Sequence, residues 1–274
     1  MAGIEFRLAF DFYRDAQTIY SAHSPFVFDF FKNVINVQHR LPDLESIEQE
    51  RIRLKHSKES ISFIEYGAGT SYNTNSNHRK IRDIARHSLS GKWQCRILYN
   101  LISHYKLMNV LEVGTSLGIS TAYLGAASPE GRIITLEGNP ASVEVAKDIW
   151  KKLGITNIEV FEGEFGATLP KAMDRLDQID MGFLDGNHRK SATLEYYEQL
   201  EGKINEQSVL VVDDIYWSRE MNEAWEELKQ DDKVAFSIDL FRMGILFFDQ
   251  TIMPKQHFKL IPFRYKPWAI GLFG

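Results

Sequence analysis

A single cysteine, Cys95, stands in 274 residues. One thiol can form neither an intrachain disulfide nor a zinc site built on several Cys or His ligands at set spacings, and this suits a reducing compartment. Long apolar runs are also missing. No stretch approaches the roughly 18 uninterrupted apolar residues of a membrane span, and the opening MAGIEFRLAFDFYRD carries charges where a signal peptide keeps its apolar core. Positive charge is not in excess: 32 Lys plus Arg against 37 Asp plus Glu leave a formal charge of −5, which excludes a polybasic nucleic-acid coat. With 44% hydrophobic and 25% charged residues, the composition is that of a globular protein holding one large domain or a domain with a smaller appended part. The expectation is a soluble, cytoplasmic chain with neither nucleic acid nor membrane as partner.

The chain falls into two unlike parts. Residues 1–91 show no alternating β pattern and are expected to form a helical cap. Ser24-Pro25 pairs a capping residue with a proline suited to a first helical turn, and Phe26, Val27, Phe30, Phe31, Val34 and Ile35 follow at helical spacing. LESIEQERIRLKH places Leu44, Ile47 and Leu54 on a thin apolar face, as in a surface helix, and RKIRDIARHSL resumes helical spacing through Ile81, Ile84, Ala85 and Leu89. Between them GAGTSYNTNSN is a loop by composition. Glu65, Gly67 and Gly69 imitate a nucleotide-binding turn, but no α/β unit follows, so a mobile Gly-rich loop over the substrate is the better reading. The basic stretch His78, Arg79, Lys80, Arg82, Arg86, His87, Lys92 and Arg96 is either a solvated face or a receiver for an anionic substrate group.

From residue 92 to 274 short apolar runs alternate with amphipathic helices, the rhythm of a parallel α/β sheet. Expected strands are 109–114, 132–138, 158–163, 179–186 and 208–215. VAFSIDLF and MGILFFD lie too close for anything but an antiparallel hairpin. Ligands of open α/β sheets bind at the carboxyl ends of the strands, and each of these strands delivers something polar there. LEVGTSLGIS brings Glu112, Gly114, Thr115, Ser116 and Gly118; ITLEGNP brings Glu137, 23 residues after Gly114; FEGEFG brings Gly163, Glu164 and Phe165. The fourth strand ends in FLDGNH with Asp185 and His188, the fifth in VVDDIYW with Asp213 and Asp214. A carboxylate at Glu137 can accept both hydroxyls of a ribose, and converging Asp oxygens suit a hard divalent cation.

The acid-x-Gly-x-x-x-Gly pattern of Glu112, Gly114 and Gly118 resembles the first motif of class I S-adenosylmethionine (SAM) dependent methyltransferases, and it departs from the G-x-G-x-x-G of dinucleotide sites. Residues 92–250 resemble metal-dependent O-methyltransferases of the catechol and caffeoyl-CoA type. The whole chain resembles bacterial methyltransferase-like proteins through HSPFVFDFF, the Gly-Ala-Gly loop, LEVGTSLGIST, FLDGNHRK and VVDDIYWS, a group with no assigned substrate.

The resemblance implies a Rossmann-like doubly wound sheet of seven strands in the order 3-2-1-4-5-7-6, the last antiparallel. It assigns Glu112, Gly114, Thr115, Ser116, Gly118, Glu137, Gly163, Glu164, Phe165 and Asp185 to SAM. Asp185, Asp213 and Asp214 would hold Mg2+ or another divalent cation, and His188 with Asp185 would be catalytic. Catechol-type enzymes have lysine where this chain has His188, whereas sugar and natural-product O-methyltransferases have histidine; the exchange keeps a general base and changes the acceptor. The implied partner is a small-molecule hydroxyl acceptor, with a homodimer admitted and Tyr216 and Trp217 as candidate substrate walls. Two other classes remain: an NAD-dependent Rossmann oxidoreductase, and a non-catalytic SAM-binding or assembly protein.

Overall fold

The computed structural model describes residues 2–37, 42–62, 78–251 and 255–267. The N-terminal part runs α1 (Ala2–Asp15), α2 (Pro25–Phe30) continued by a π-helical turn over Phe31–Ile35, α3 (Pro42–His56), β1 (Ser60–Ser62), β2 (His78–Lys80), α4 (Ile81–His87) and α5 (Lys92–Tyr105). There follow β3 (Asn109–Val113), α6 (Ile119–Ala127), β4 (Arg132–Glu137), α7 (Pro140–Leu153), β5 (Ile158–Glu162), α8 (Phe165–Met173), β6 (Met181–Leu184), α9 (Lys190–Leu200) and β7 (Val209–Asp213). The chain then forms α10 (Arg219–Gln230), β8 (Phe236–Asp239), β9 (Met243–Phe247) and β10 (Gln256–Lys259). The expected loop at 65–77 lies outside the described residues. No helix among the described residues is long and apolar enough to cross a membrane.

The central sheet has the order β10-β8-β9-β7-β6-β3-β4-β5, with β9 antiparallel to both of its neighbours. This is the expected seven-strand order with an eighth strand, β10, added in parallel beside β8. Strands such as β6 and β7 are buried at every position, because helices cover both faces, and they accordingly read as unbroken apolar runs. The N-terminal part is less purely helical than its sequence suggests. Ser60–Ser62 and His78–Lys80 pair antiparallel, so α4 starts at Ile81 rather than Arg79.

The cap is packed into the sheet layers. Val27, Phe30, Phe31 and Val34 share one core with Val110, Phe183 and Phe236 of the sheet and with α5. The helix expected on the surface, α3, buries Leu44, Ile47 and Leu54 together with Tyr123 and Trp150, and even its Arg51 is only 4% exposed. Arg51 donates to Glu48 at 2.9 Å, to the Ser90 carbonyl at 2.6 Å and to Cys95 Sγ at 3.2 Å; a buried guanidinium is tolerable because its donors are used. At the other end, Lys266 Nζ donates to the carbonyls of Tyr13, Arg14 and Ala16 and Ile261 N to Gln17 O. The C-terminal segment is thereby tied to the end of α1.

Two internal constraints fix the sheet. A Cβ on Gly244 would sit 2.5 Å from the fully buried indole of Trp225, so β9 depends on a bare backbone there. Gly244→Ala is expected to cost about 1–3 kcal/mol through overpacking; equal urea midpoints for the two proteins would refute that contact. Glu112, fully buried in β3, accepts from Ser120 at 2.7 Å, Thr121 at 2.5 Å and Thr135 at 2.7 Å. These hydroxyls only partly offset desolvation, and burial pushes its carboxyl up from 4.5 to about 7. A folded-state value above the unfolded one favours the protonated form, so this contribution to stability is complete below 4.5 and lost as pH rises through about 7. Glu112→Gln should remove roughly 1–3 kcal/mol of that decline; parallel stability-pH curves for the wild type and variant would contradict it.

Candidate active site at the carboxyl edge of the sheet

The first half of the site is a set of turns held by one carboxylate. After β3, Gly114 adopts φ +107°, and a Cβ there would lie 2.5 Å from the Asp185 carbonyl oxygen. Only glycine lets this turn lie against the end of β6. Gly114 N and Thr115 N both donate to Leu136 O, and Thr115 Oγ1 meets Thr135 Oγ1 at 2.6 Å, which fastens the turn to β4. Gly118 opens α6, and its carbonyl accepts Trp150 Nε1 at 2.9 Å. At the end of β4, Glu137 Oε2 accepts Ser116 N at 2.7 Å and Oε1 accepts Asn139 N at 2.8 Å. The Gly138 backbone N–H also acts on this carboxylate, whose two oxygens have about four acceptor positions between them. Burial raises the pKa of Glu137, opposed by these backbone N–H groups.

The turn after β5 joins the same region. Gly163 N donates to Glu137 O at 2.9 Å, and Glu164 caps α8 by accepting Ala167 N at 3.2 Å. Phe165 packs edge-on against Tyr196 at 6.1 Å, with its ring beside Gly186. The structure therefore gathers Gly114, Thr115, Ser116, Gly118, Glu137, Gly163, Glu164 and Phe165 along one edge. Glu112 differs: both of its oxygens are engaged beneath the turn, so it braces the motif from inside.

The second half is acidic. Asp185 and Asp213 lie close enough for their carboxyl groups to interact directly. Burial, then repulsion from Asp213 and Asp214, raises Asp185 well above the usual carboxylate range; burial and Asp214 push Asp213 up to about 7. Two residues of the cap's edge hold this pair. Ser90 Oγ donates to Asp185 Oδ2 at 3.0 Å, and Gln94 Nε2 donates to Asp213 Oδ1 and Oδ2 at 2.9 and 3.2 Å. His188 Nε2 stands 3.9 Å from Asp185 Oδ1, and burial lowers its pKa, so the neutral imidazole is favoured.

Asp214 takes a different course. It leaves the strand at φ +52° and faces Arg242 Nη1 at 3.6 Å. Oxygen donors crowded against mutual repulsion have the chemistry of a hard-cation site. Among the described residues, however, no group of three or more His, Cys, Asp or Glu is placed to hold a metal ion. The converging element of the expected triplet is the Asp185–Asp213 pair.

One residue removed from these acids lies a cavity of about 420 Å³, lined by Gln94, which holds Asp213, and Arg242, which faces Asp214, together with Phe12, Trp93, Phe241 and Tyr265. These residues come from α1, α5, the β8–β9 turn and the C-terminal segment. Sequence reasoning did not find them, nor Ser90. Tyr216 backs the cavity: it stacks on Phe241 at 5.0 Å, and its hydroxyl donates to Asp239 at 2.7 Å. Trp217 is 57% exposed and is not among the residues that line this cavity.

Residues 111–215 match a family model described as a methyltransferase domain. A catechol O-methyltransferase of Mycobacterium tuberculosis is 31% identical over 134 residues, covering 48% of this chain and 57% of that protein. Another, from Niastella koreensis, is 32% identical over 108 residues, covering 38% and 48%. The chain spans about half the length of the curated relatives it matches. A methyltransferase of Podospora anserina with S-adenosylhomocysteine (SAH) bound has a TM-score of 0.57 at 16% identity, over 83% of this chain and 97% of that one. A SAM-bound O-methyltransferase of Streptomyces achromogenes involved in tomaymycin synthesis has a TM-score of 0.56 at 18% identity, over 81% and 96%. The chain thus has the Rossmann-like fold of SAM-dependent methyltransferases, and its residues 111–215 match the methyltransferase domain in sequence.

Proposed function

We propose that the protein is a SAM-dependent methyltransferase that methylates a hydroxyl oxygen of a small molecule. The observation that carries this reading is Glu137, whose half-buried carboxylate is oriented by two backbone donors at the end of β4. That arrangement suits two ribose hydroxyls. The turns at Gly114–Ser116 and Gly163–Phe165 would flank the rest of the nucleoside, with Phe165 as an apolar surface for adenine. The Asp185–Asp213 pair and the aromatic cavity beside it would receive the acceptor.

The transfer is a displacement in which the acceptor oxygen forms a bond to the methyl carbon. The carbon–sulfur bond breaks with its electron pair left on sulfur, giving SAH. SAM supplies the reactive methyl group, so the protein's part is alignment and proton removal. Holding the two reactants in line is worth roughly 7–11 kcal/mol in favourable cases. His188, next to Asp185, would take the hydroxyl proton at its unprotonated ring nitrogen. Ser90 and Gln94 would keep the two acids in place. A divalent cation, when bound, would be held by the Asp185–Asp213 pair, with water in its remaining positions, and would make the hydroxyl more acidic. The reading includes a cytoplasmic setting, which the buried free thiol of Cys95 suits.

Methyl transfer from labelled SAM to catechol, measured with Mg2+ and with EDTA, tests this. Transfer is expected with Mg2+, lost in EDTA, and reduced about 100-fold or more in Asp213→Asn, the scale of a lost alignment and charge-stabilising group. Thermal stabilisation by NAD without any by SAH would overturn the reading.

A further inference from the structure

A second cavity, of about 500 Å³, adjoins the aromatic one: Trp93 and Pro262 line both. Its chemistry is different. Lys92, Arg96 and Arg264 all border it, and no Asp or Glu is among the described residues lining it. Three cations around one recess run against a chain whose formal charge is −5, and such a concentration raises the local concentration of anions.

The arrangement alternates along two short segments. In the first turn of α5, Lys92 borders the cationic cavity, Trp93 borders both, and Gln94 borders the aromatic cavity while holding Asp213. In the C-terminal segment, Arg264 borders the cationic cavity and Tyr265 the aromatic one, with the Arg264 guanidinium 4.7 Å from the Tyr265 ring. A single molecule lying across Trp93 would touch both chemistries. We propose that the acceptor is bipartite: a hydroxyl-bearing aromatic head sits in the cavity beside Asp213, and an anionic oxyacid group, carboxylate or phosphate, sits between Lys92, Arg96 and Arg264. This rests on the methyltransferase reading and names its substrate class. It also gives a role to the end of the basic stretch, Lys92 and Arg96, which the cofactor and acid sites leave unused.

The test is calorimetric. SAH is titrated first; then the SAH-loaded protein is titrated with dihydrocaffeate (a catechol with a propanoate tail), with its methyl ester, and with the corresponding alkyl phosphate. At least one anion is expected to bind about tenfold or more tightly than the ester, the scale of a charge-assisted contact, and which anion binds better identifies the oxyacid. In a Lys92→Gln/Arg264→Gln double variant, with its fold checked by thermal unfolding, that ratio should fall to about twofold or less. Equal affinity of ester and anions, an undiminished ratio in the double variant, or no binding of any probe to the SAH-loaded protein would each overturn the proposal. Failure of SAH itself to bind would instead remove the methyltransferase reading on which it rests.

Discussion

A carboxylate set between two turns organises the edge of this sheet. Glu137 ends β4, yet its oxygens reach Ser116 in the turn after β3 and Asn139 at the start of α7, while its own carbonyl accepts Gly163 N from the turn after β5. Three successive strand ends therefore have one fixed relation. On the other side of β3, the turn at Gly114 rests on the Asp185 carbonyl with no room for a side chain, so the end of β6 is set against that of β3. Burial of Glu137 costs hydration, and the backbone N–H groups recover part of it. The carboxylate keeps acceptor capacity beyond these bonds, which the proposed nucleoside would use.

The proposed acceptor side is built on a different principle. Its parts come from opposite ends of the chain, and the ties are long-range: Gln94 to Asp213, Ser90 to Asp185, Tyr13 Oη to the Tyr265 carbonyl at 2.8 Å. Arg51 extends the Ser90–Asp185 contact inward, because the Ser90 carbonyl it holds belongs to the residue whose hydroxyl binds Asp185. The cap helices thus support the acids as well as cover them. Residues 111–215, which match the methyltransferase domain, contain every proposed cofactor residue. The walls of both acceptor-side cavities lie wholly outside that stretch. A division of this kind lets the cofactor half stay constant while the acceptor half varies.

How much of this could be read from the sequence follows from the same division. β6 and β7 are apolar runs followed by or ending in Asp and mark a parallel α/β sheet, whereas the order of the seven main strands came from the family resemblance. β10 is Gln-His-Phe-Lys, an edge strand without an apolar run, and β1 and β2 are three-residue polar strands; none has a periodicity to detect. Asp213 and Asp214 looked equivalent as neighbours. Successive residues at a strand end point to opposite sides, and a positive φ at Asp214 sends it toward Arg242. Trp217 looked like a substrate wall by position alone and is instead exposed. Trp93 and Tyr265, rather than Trp217, line the cavity that Tyr216 backs.

The central claim is that Glu137 organises a nucleoside site at the ends of β3, β4 and β5. Calorimetric titration of SAH into the wild-type protein and Glu137→Ala, each freed of metal, tests it most directly. The account predicts a saturable SAH isotherm for the wild type and an affinity about tenfold or more weaker in the variant, since a charge-assisted hydrogen-bond set is worth roughly 1.5–3 kcal/mol. Equal affinity in the two proteins, or no SAH binding by the wild type, would contradict it.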